Sequence, residues 1–72
     1  MRLIREYDIL RALQYLYYVE NVSVVSDYDF DMMEKAYEES TGQELPVGAD
    51  LASDYTEAQR ILALYLEKAY LL

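Results

Sequence analysis

Apolar residues recur at three- and four-residue spacing in three stretches of this chain, each bounded by residues that start or stop helices. In the first, Leu3, Tyr7, Leu10, Leu13 and Tyr17 form a stripe that Ile9, Leu16 and Val19 widen. The spacing predicts an amphipathic helix from about Arg2 to Glu20. Asn21 is its expected stop, because asparagine tolerates the left-handed backbone of a helix C-terminus. Val22-Ser23-Val24-Val25 is β-branched, but a strand there would find no partner elsewhere, so it reads as an extended connection.

The second helix has a distinct start. Ser26 with Asp29 three residues on is a variant capping box, and Asp27, Asp29 and Asp31 load the first turns with the negative charge a helix N-terminus favours. Phe30, Met33 and Tyr37 continue the stripe to about Ser40, with Gly42 as the stop. Gly42 to Ala52 is a loop punctuated by Pro46 and Gly48. The third helix is expected from Asp54, paired with Glu57 as a capping box, through Ala58, Ile61, Leu62, Tyr65, Ala69 and Leu72. Leu64, Leu66 and Leu71 fall off that stripe, so this helix is either enclosed by the others or turns an apolar face to a partner.

The expected fold is therefore all-α: a small three-helix domain, a helical hairpin plus a C-terminal helix, occupying residues 1–72 as one unit. At 72 residues the chain sits at the length, roughly 70–80 residues, below which one core is rarely self-sufficient. Core material is available, since 54% of the residues are hydrophobic. With no cysteine, neither disulfides nor a thiolate metal site can assist. No stretch approaches the ~20 apolar residues of a membrane span. Arg2 and Arg5 are not followed by a signal-peptide apolar run, because Asp8, Arg11 and Gln14 interrupt it. A cytoplasmic, non-secreted protein is the expectation.

Charge narrows the partners. Residues 1–26 balance to zero and residues 58–72 sum to +1, whereas ten carboxylates between Asp27 and Glu57 face Lys35 alone, giving −9. Such a field repels a phosphate backbone, so direct nucleic-acid binding is not expected. Catalytic sets are also missing: without histidine or cysteine there is no Ser/His or Cys/His pair, and neither glycine belongs to a phosphate loop. An enzyme is not expected. Glu34, Glu38, Glu39, Glu44 and Glu57 read as a solvated face. Asp27, Asp29 and Asp31 lack the glycine turn and later bidentate glutamate of a calcium loop, so no metal is assigned.

Aromatic usage is skewed, with nine tyrosines against one phenylalanine. At about 100° per residue, Tyr15, Tyr17 and Tyr18 cannot all point into one core, and at least one belongs at the edge or surface. A tyrosine there either marks a core boundary with its hydroxyl in water or offers a stacking face to a ligand or protein.

The run Tyr15-Leu16-Tyr17-Tyr18-Val19, followed by Ser26-Asp27-Tyr28-Asp29-Phe30-Asp31-Met32-Met33, resembles the N-terminal Ia domain of bacterial NAD⁺-dependent DNA ligases. That family reads approximately Y-x-Y-H-x, a short extended linker, then S/P-D-x-E-Y-D-x-L. The two halves align without a gap, and the resemblance covers about residues 10–40. It implies a non-catalytic domain that closes over the nicotinamide half of NAD⁺, while a separate adenylation domain supplies the nucleophilic lysine of a K-x-D-G motif. Carried over by position, the nicotinamide mononucleotide contacts are Tyr17, Tyr18, Asp27, Phe30 and Asp31. Tyr18 stands where the family has histidine and Phe30 where it has tyrosine, and each change removes a polar contact while keeping an aromatic surface. Neither Lys35 nor Lys68 lies in an adenylation motif.

Two functional expectations follow. One is a nicotinamide-nucleotide recognition module with NMN or NAD as ligand and no cofactor required, working with an adenylation domain in trans. The other is an acidic, phage-type inhibitor or adaptor that imitates a nucleic acid and occupies a basic protein surface. A homodimer through the third helix is compatible with both.

Overall fold

The computed structural model describes residues 5–70. Its elements are α1 (Glu6–Tyr18), α2 (Asp27–Thr41), a 3₁₀ turn (Ala52–Asp54) and α3 (Glu57–Tyr70), with no strand among the described residues. The fold is all-α.

Helix α1 is shorter than its apolar stripe predicts. Arg5 is extended and stands before the helix, while Leu3 and the other expected early residues lie outside the described region. At the other end, Asn21 does adopt the left-handed conformation, with φ 60°. The helix nevertheless ends at Tyr18, and the chain then wraps over its last turn. Glu20 donates to the Tyr15 carbonyl at 3.2 Å and Val22 to the Leu16 carbonyl at 2.7 Å, satisfying carbonyls the helix leaves free. Helix α2 starts and stops where the local signals place it. The Ser26 hydroxyl accepts from the Asp29 amide at 3.0 Å, and Gly42, with φ 71°, donates to the Glu38 carbonyl.

Helix α3 departs from expectation at its start. Asp54 is the last residue of the 3₁₀ turn and Tyr55 after it is extended and buried, so the cap moves two residues on, to Thr56. The Gln59 amide nitrogen donates to the Thr56 hydroxyl and the Thr56 amide nitrogen to the Gln59 side-chain carbonyl, both at 3.1 Å. This reciprocal pair, not Asp54 with Glu57, is the capping box.

Helix α1 is the middle element, with α3 against one side and α2 against the other. Its two faces feed two apolar clusters. Leu10 packs with Tyr37 and Leu45, joined by Tyr7, Phe30 and Met33. Ala12 and Leu16 pack with Ala63, joined by Tyr15, Val22, Val24, Leu62 and Leu66. Ala12 and Ala63 are both fully buried, and their small side chains let the two helices approach closely. The inner face of α3 is therefore Gln59, Leu62, Ala63 and Leu66. Ile61 and Tyr65, expected on the core stripe, point outward together with Leu64. Apolar residues surround most of this helix, so their period alone does not choose the inner side; the Ala12–Ala63 contact does.

Between its two apolar faces α1 presents Arg11 and Gln14, and the 43–55 loop closes over them. Both are buried. Arg11 donates to Gln14 Oε1 at 2.7 Å and to the Asp54 carbonyl at 3.1 Å, with its guanidinium 4.5 Å from the centre of the Tyr55 ring. Gln14 passes the connection on by donating to the Pro46 carbonyl at 2.8 Å. The Tyr55 hydroxyl donates to the Ala49 carbonyl and accepts from the Ala49 amide. These bonds fix a loop with little regular structure of its own.

Candidate functional site

Where α1 ends, the chain folds back along Val22–Val25 and enters α2, leaving a pocket at the corner. Its floor is Leu13 and Gln14, one wall is Val22, Ser23, Val24 and Val25, and its rim is Tyr17, Tyr18, Asp27 and Phe30. Four of the five residues expected to form a site thus stand around one pocket. The local reasons are separable. Tyr17 and Tyr18 occupy the last turn of α1; Ser26 caps α2 and sets Asp27 as its first helical residue; Phe30, one turn later, reaches back toward the Leu10 cluster.

Asp31 is not among the lining residues. Its carboxylate lies 3.2 Å from the Lys35 ammonium, one turn along the exposed side of α2. Of the two aspartates expected as contacts, the structure brings Asp27 and not Asp31 to the pocket, and Asp31 is paired with Lys35 along its own helix.

Tyr17 and Tyr18 are about half exposed, at 47% and 43%. Tyr17 is consequently a rim residue and not the core residue its place in the α1 stripe suggests. The two rings meet edge to face with centroids 4.9 Å apart. The Tyr18 ring also rests directly on the backbone of Gly48, in the space a Cβ there would occupy. One aromatic surface is thus pinned by the loop that Gln14 anchors through Pro46, and the neighbouring Tyr17 stays open to solvent.

The pocket is small, about 40 Å³, which is space for only a few water molecules at roughly 10–15 Å³ each. A planar ring would sit at its mouth against the exposed tyrosines, with the apolar recess behind and the Asp27 carboxylate at the lip. That combination suits a flat cation: the face of an aromatic ring attracts positive charge and a carboxylate offsets it. Ser23 is engaged elsewhere, its hydroxyl donating to the Val25 carbonyl.

The remaining wall residues, Leu13, Gln14 and Val22–Val25, are not apparent as site residues in the sequence. One available signal is three valines in a four-residue connector with no strand to join, which implies that they cover an apolar surface.

Electrostatic perturbations lie away from this pocket. Burial alone would raise the Asp8 carboxyl, but the Gln59 amide and the Arg5 guanidinium hold it below the ordinary aspartate value. Burial, with Glu38 and Asp31 nearby, raises the Glu34 carboxyl. Burial and the adjoining Glu20 carboxylate raise the Tyr15 hydroxyl, with Arg60 opposing. Among the described residues no three carboxylates group to hold a metal ion, the Asp27, Asp29 and Asp31 run included. No described helix is long and apolar enough to cross a membrane.

Comparison with protein-family models, characterised proteins and solved structures finds no match to this chain.

Proposed function

We propose that the chain is a non-catalytic binding module for a flat, cationic ring, and specifically for the nicotinamide end of nicotinamide mononucleotide or NAD⁺. The observation that supports it most is the gathering of Tyr17, Tyr18, Asp27 and Phe30 around one apolar recess. The resemblance to the ligase Ia domain gives the ring its identity. Tyr17 supplies the open stacking face, Tyr18 the aromatic surface backed by Gly48, Phe30 an apolar part of the rim and Asp27 the countercharge. Asp31 acts at most from a distance, through Lys35. In this reading any adenylyl transfer belongs to a partner that carries the lysine nucleophile.

The test is a ¹H–¹⁵N NMR titration with nicotinamide mononucleotide, NAD⁺ and AMP. The first two should shift amides of residues 17–18 and 22–30, whereas AMP, which lacks the ring, should not. Tyr17→Ala should abolish the shifts and Asp27→Asn should weaken binding several-fold. Absence of shifts at millimolar nicotinamide mononucleotide, or equal shifts with AMP, would refute the reading.

A second reading, an acidic adaptor or inhibitor for a basic protein surface, draws support from one observation. Burial first, and then the neighbouring Glu38 and Asp31 carboxylates, raise the Glu34 carboxyl, and these carboxylates add to the negative potential along α2. Capture of a basic partner whose affinity falls steeply with salt would favour it. Capture that ignores ionic strength would remove its basis.

A further inference from the structure

The outer face of α3 carries four residues whose spacing is the same from either end, with opposite charges at the two ends. Glu57, Ile61, Leu64 and Lys68 follow one line along the helix, opposite the Gln59, Leu62, Ala63 and Leu66 face that meets α1. All four are exposed. Ile61 is 48% exposed and Leu64 52%, while Tyr65 beside them reaches 69%. Ile61 on one turn, with Leu64 and Tyr65 on the next, thus forms an apolar ridge with an acid at its start and a base at its end.

The midpoint between Ile61 and Leu64 is also the midpoint between Glu57 and Lys68. A two-fold axis across the helix at that point makes the face complementary to itself. It sets Ile61 against the partner's Leu64 and Glu57 against the partner's Lys68, and symmetry provides each contact twice. A parallel pairing would instead oppose Glu57 to Glu57 and Lys68 to Lys68, which is repulsive at both ends. Glu57, Ile61 and Leu64 of the ridge, together with Tyr15 and Arg60, line a shallow groove of about 330 Å³, a recess of the kind that ridge-into-groove packing fills. The distribution of charge agrees: Glu57, Arg60, Glu67 and Lys68 cancel along α3, whereas residues 27–56 carry −8. Two copies joined along α3 meet where mutual repulsion is least.

We infer that the chain forms a symmetric dimer by antiparallel pairing of the outer α3 faces, with a second copy of itself as the occupant of that surface. The inference does not depend on the nicotinamide reading.

Sedimentation equilibrium of the full chain over a concentration series tests it. The wild type should pass from monomer mass to dimer mass. Leu64→Lys should remain monomeric with an unchanged far-UV spectrum, since the position is exposed and its loss does not touch the core. Glu57→Lys should weaken the dimer about five- to tenfold by turning two rim attractions into repulsions. The same change moves the net charge from −8 to −6, which by itself would ease association, so a weakening reports the local contact. Glu57→Lys combined with Lys68→Glu should return the dissociation constant to within about twofold of wild type. A chain that stays monomeric to millimolar concentration would overturn the proposal. So would a dimer indifferent to Leu64→Lys, or a double reversal that fails to restore association.

Discussion

Replacing Gln14 by leucine would isolate the contribution of the buried polar link between α1 and the long loop. Leucine fills nearly the same volume, so the cavity contribution is minor and the change is chiefly in hydrogen bonding. Two groups lose a partner: the Arg11 guanidinium, which donates to Gln14 Oε1 at 2.7 Å, and the Pro46 carbonyl, which accepts at 2.8 Å. A buried group stripped of its partner costs about 1–3 kcal/mol, and more when it is charged. Arg11 lies at the upper end because it is 6% exposed, whereas Pro46 is exposed and can recover water. The sum is about 2–4 kcal/mol. A 72-residue domain has a total stability of about 4–11 kcal/mol, so this single change removes a large share of it. Urea unfolding followed by circular dichroism measures the effect. With a slope of about 1 kcal/mol/M, the midpoint should fall by about 2–4 M. Gln14→Glu serves as the companion: it keeps an acceptor for Arg11 but loses the donor to Pro46, and should cost less than leucine. A loss below about 0.5 kcal/mol for Gln14→Leu, or a larger loss for Gln14→Glu, would refute the assignment of this pair as the anchor of the loop.

Other substitutions probe separate contacts. Tyr55→Phe removes the hydroxyl that both donates to and accepts from Ala49, and should cost about 1–2 kcal/mol in chemical denaturation while speeding amide exchange at Ala49. Ala63→Leu forces three extra heavy atoms into the α1–α3 seam opposite Ala12 and should cost about 1–3 kcal/mol, read as a fall in melting temperature. Gly48→Ala places a methyl group where the Tyr18 ring rests; the ring should swing outward at a stability cost below about 1 kcal/mol, with altered Tyr18 ring shifts and weaker nicotinamide mononucleotide binding. Glu34→Gln should stabilise the fold at neutral pH by about 0.2–0.5 kcal/mol by removing a charge that burial disfavours and that Glu38 and Asp31 repel. The sign follows from linkage. A carboxyl raised in the folded state penalises folding above its folded pKa, and the penalty lifts as pH falls through that value, so the gap between Glu34→Gln and wild type should close in acid. Asp8→Asn should behave oppositely in sign, destabilising at neutral pH and converging with wild type as pH falls through the lowered Asp8 value.

Signals that act within one turn were legible in the sequence. Ser26 as a cap, Gly42 and Asn21 as left-handed residues, and the Phe30, Met33, Tyr37 stripe all depend on neighbours three or four positions away, and the structure places them accordingly. What depends on distant residues was not legible. Arg11 and Gln14 look like polar interruptions of an apolar stripe, and they are buried only because a loop more than thirty residues away closes over them. In Asp54-Tyr55-Thr56-Glu57-Ala58-Gln59 two capping boxes overlap. The burial of Tyr55 against Arg11 and Tyr15 draws the chain inward before Thr56, and that tertiary contact selects the second box. The candidate site divides in the same way. Its aromatic and acidic rim is visible as two clusters at fixed separation, whereas its floor and valine wall emerge only when the connector folds back on α1.

The pocket and the outer face of α3 belong to different parts of the fold. The pocket is built from α1, the connector and α2, with no residue of α3 in its lining, and the seam between α1 and α3 is closed by Ala12, Leu16 and Ala63. Ligand at the tyrosine rim and a second copy on α3 therefore communicate through α1 and through Val22 and Val24, which line the pocket and also pack in the cluster that holds Leu62, Ala63 and Leu66. Coupling between them needs an element with two arrangements, and tightly packed alanines at a helix crossing offer little room for one. Leu64→Lys should leave nicotinamide mononucleotide binding unchanged, and Tyr17→Ala should leave the dimer dissociation constant unchanged. If either variant moves the other property by more than about threefold, or ~0.7 kcal/mol, α1 or the Val22 and Val24 packing transmits a rearrangement and the two surfaces form one site.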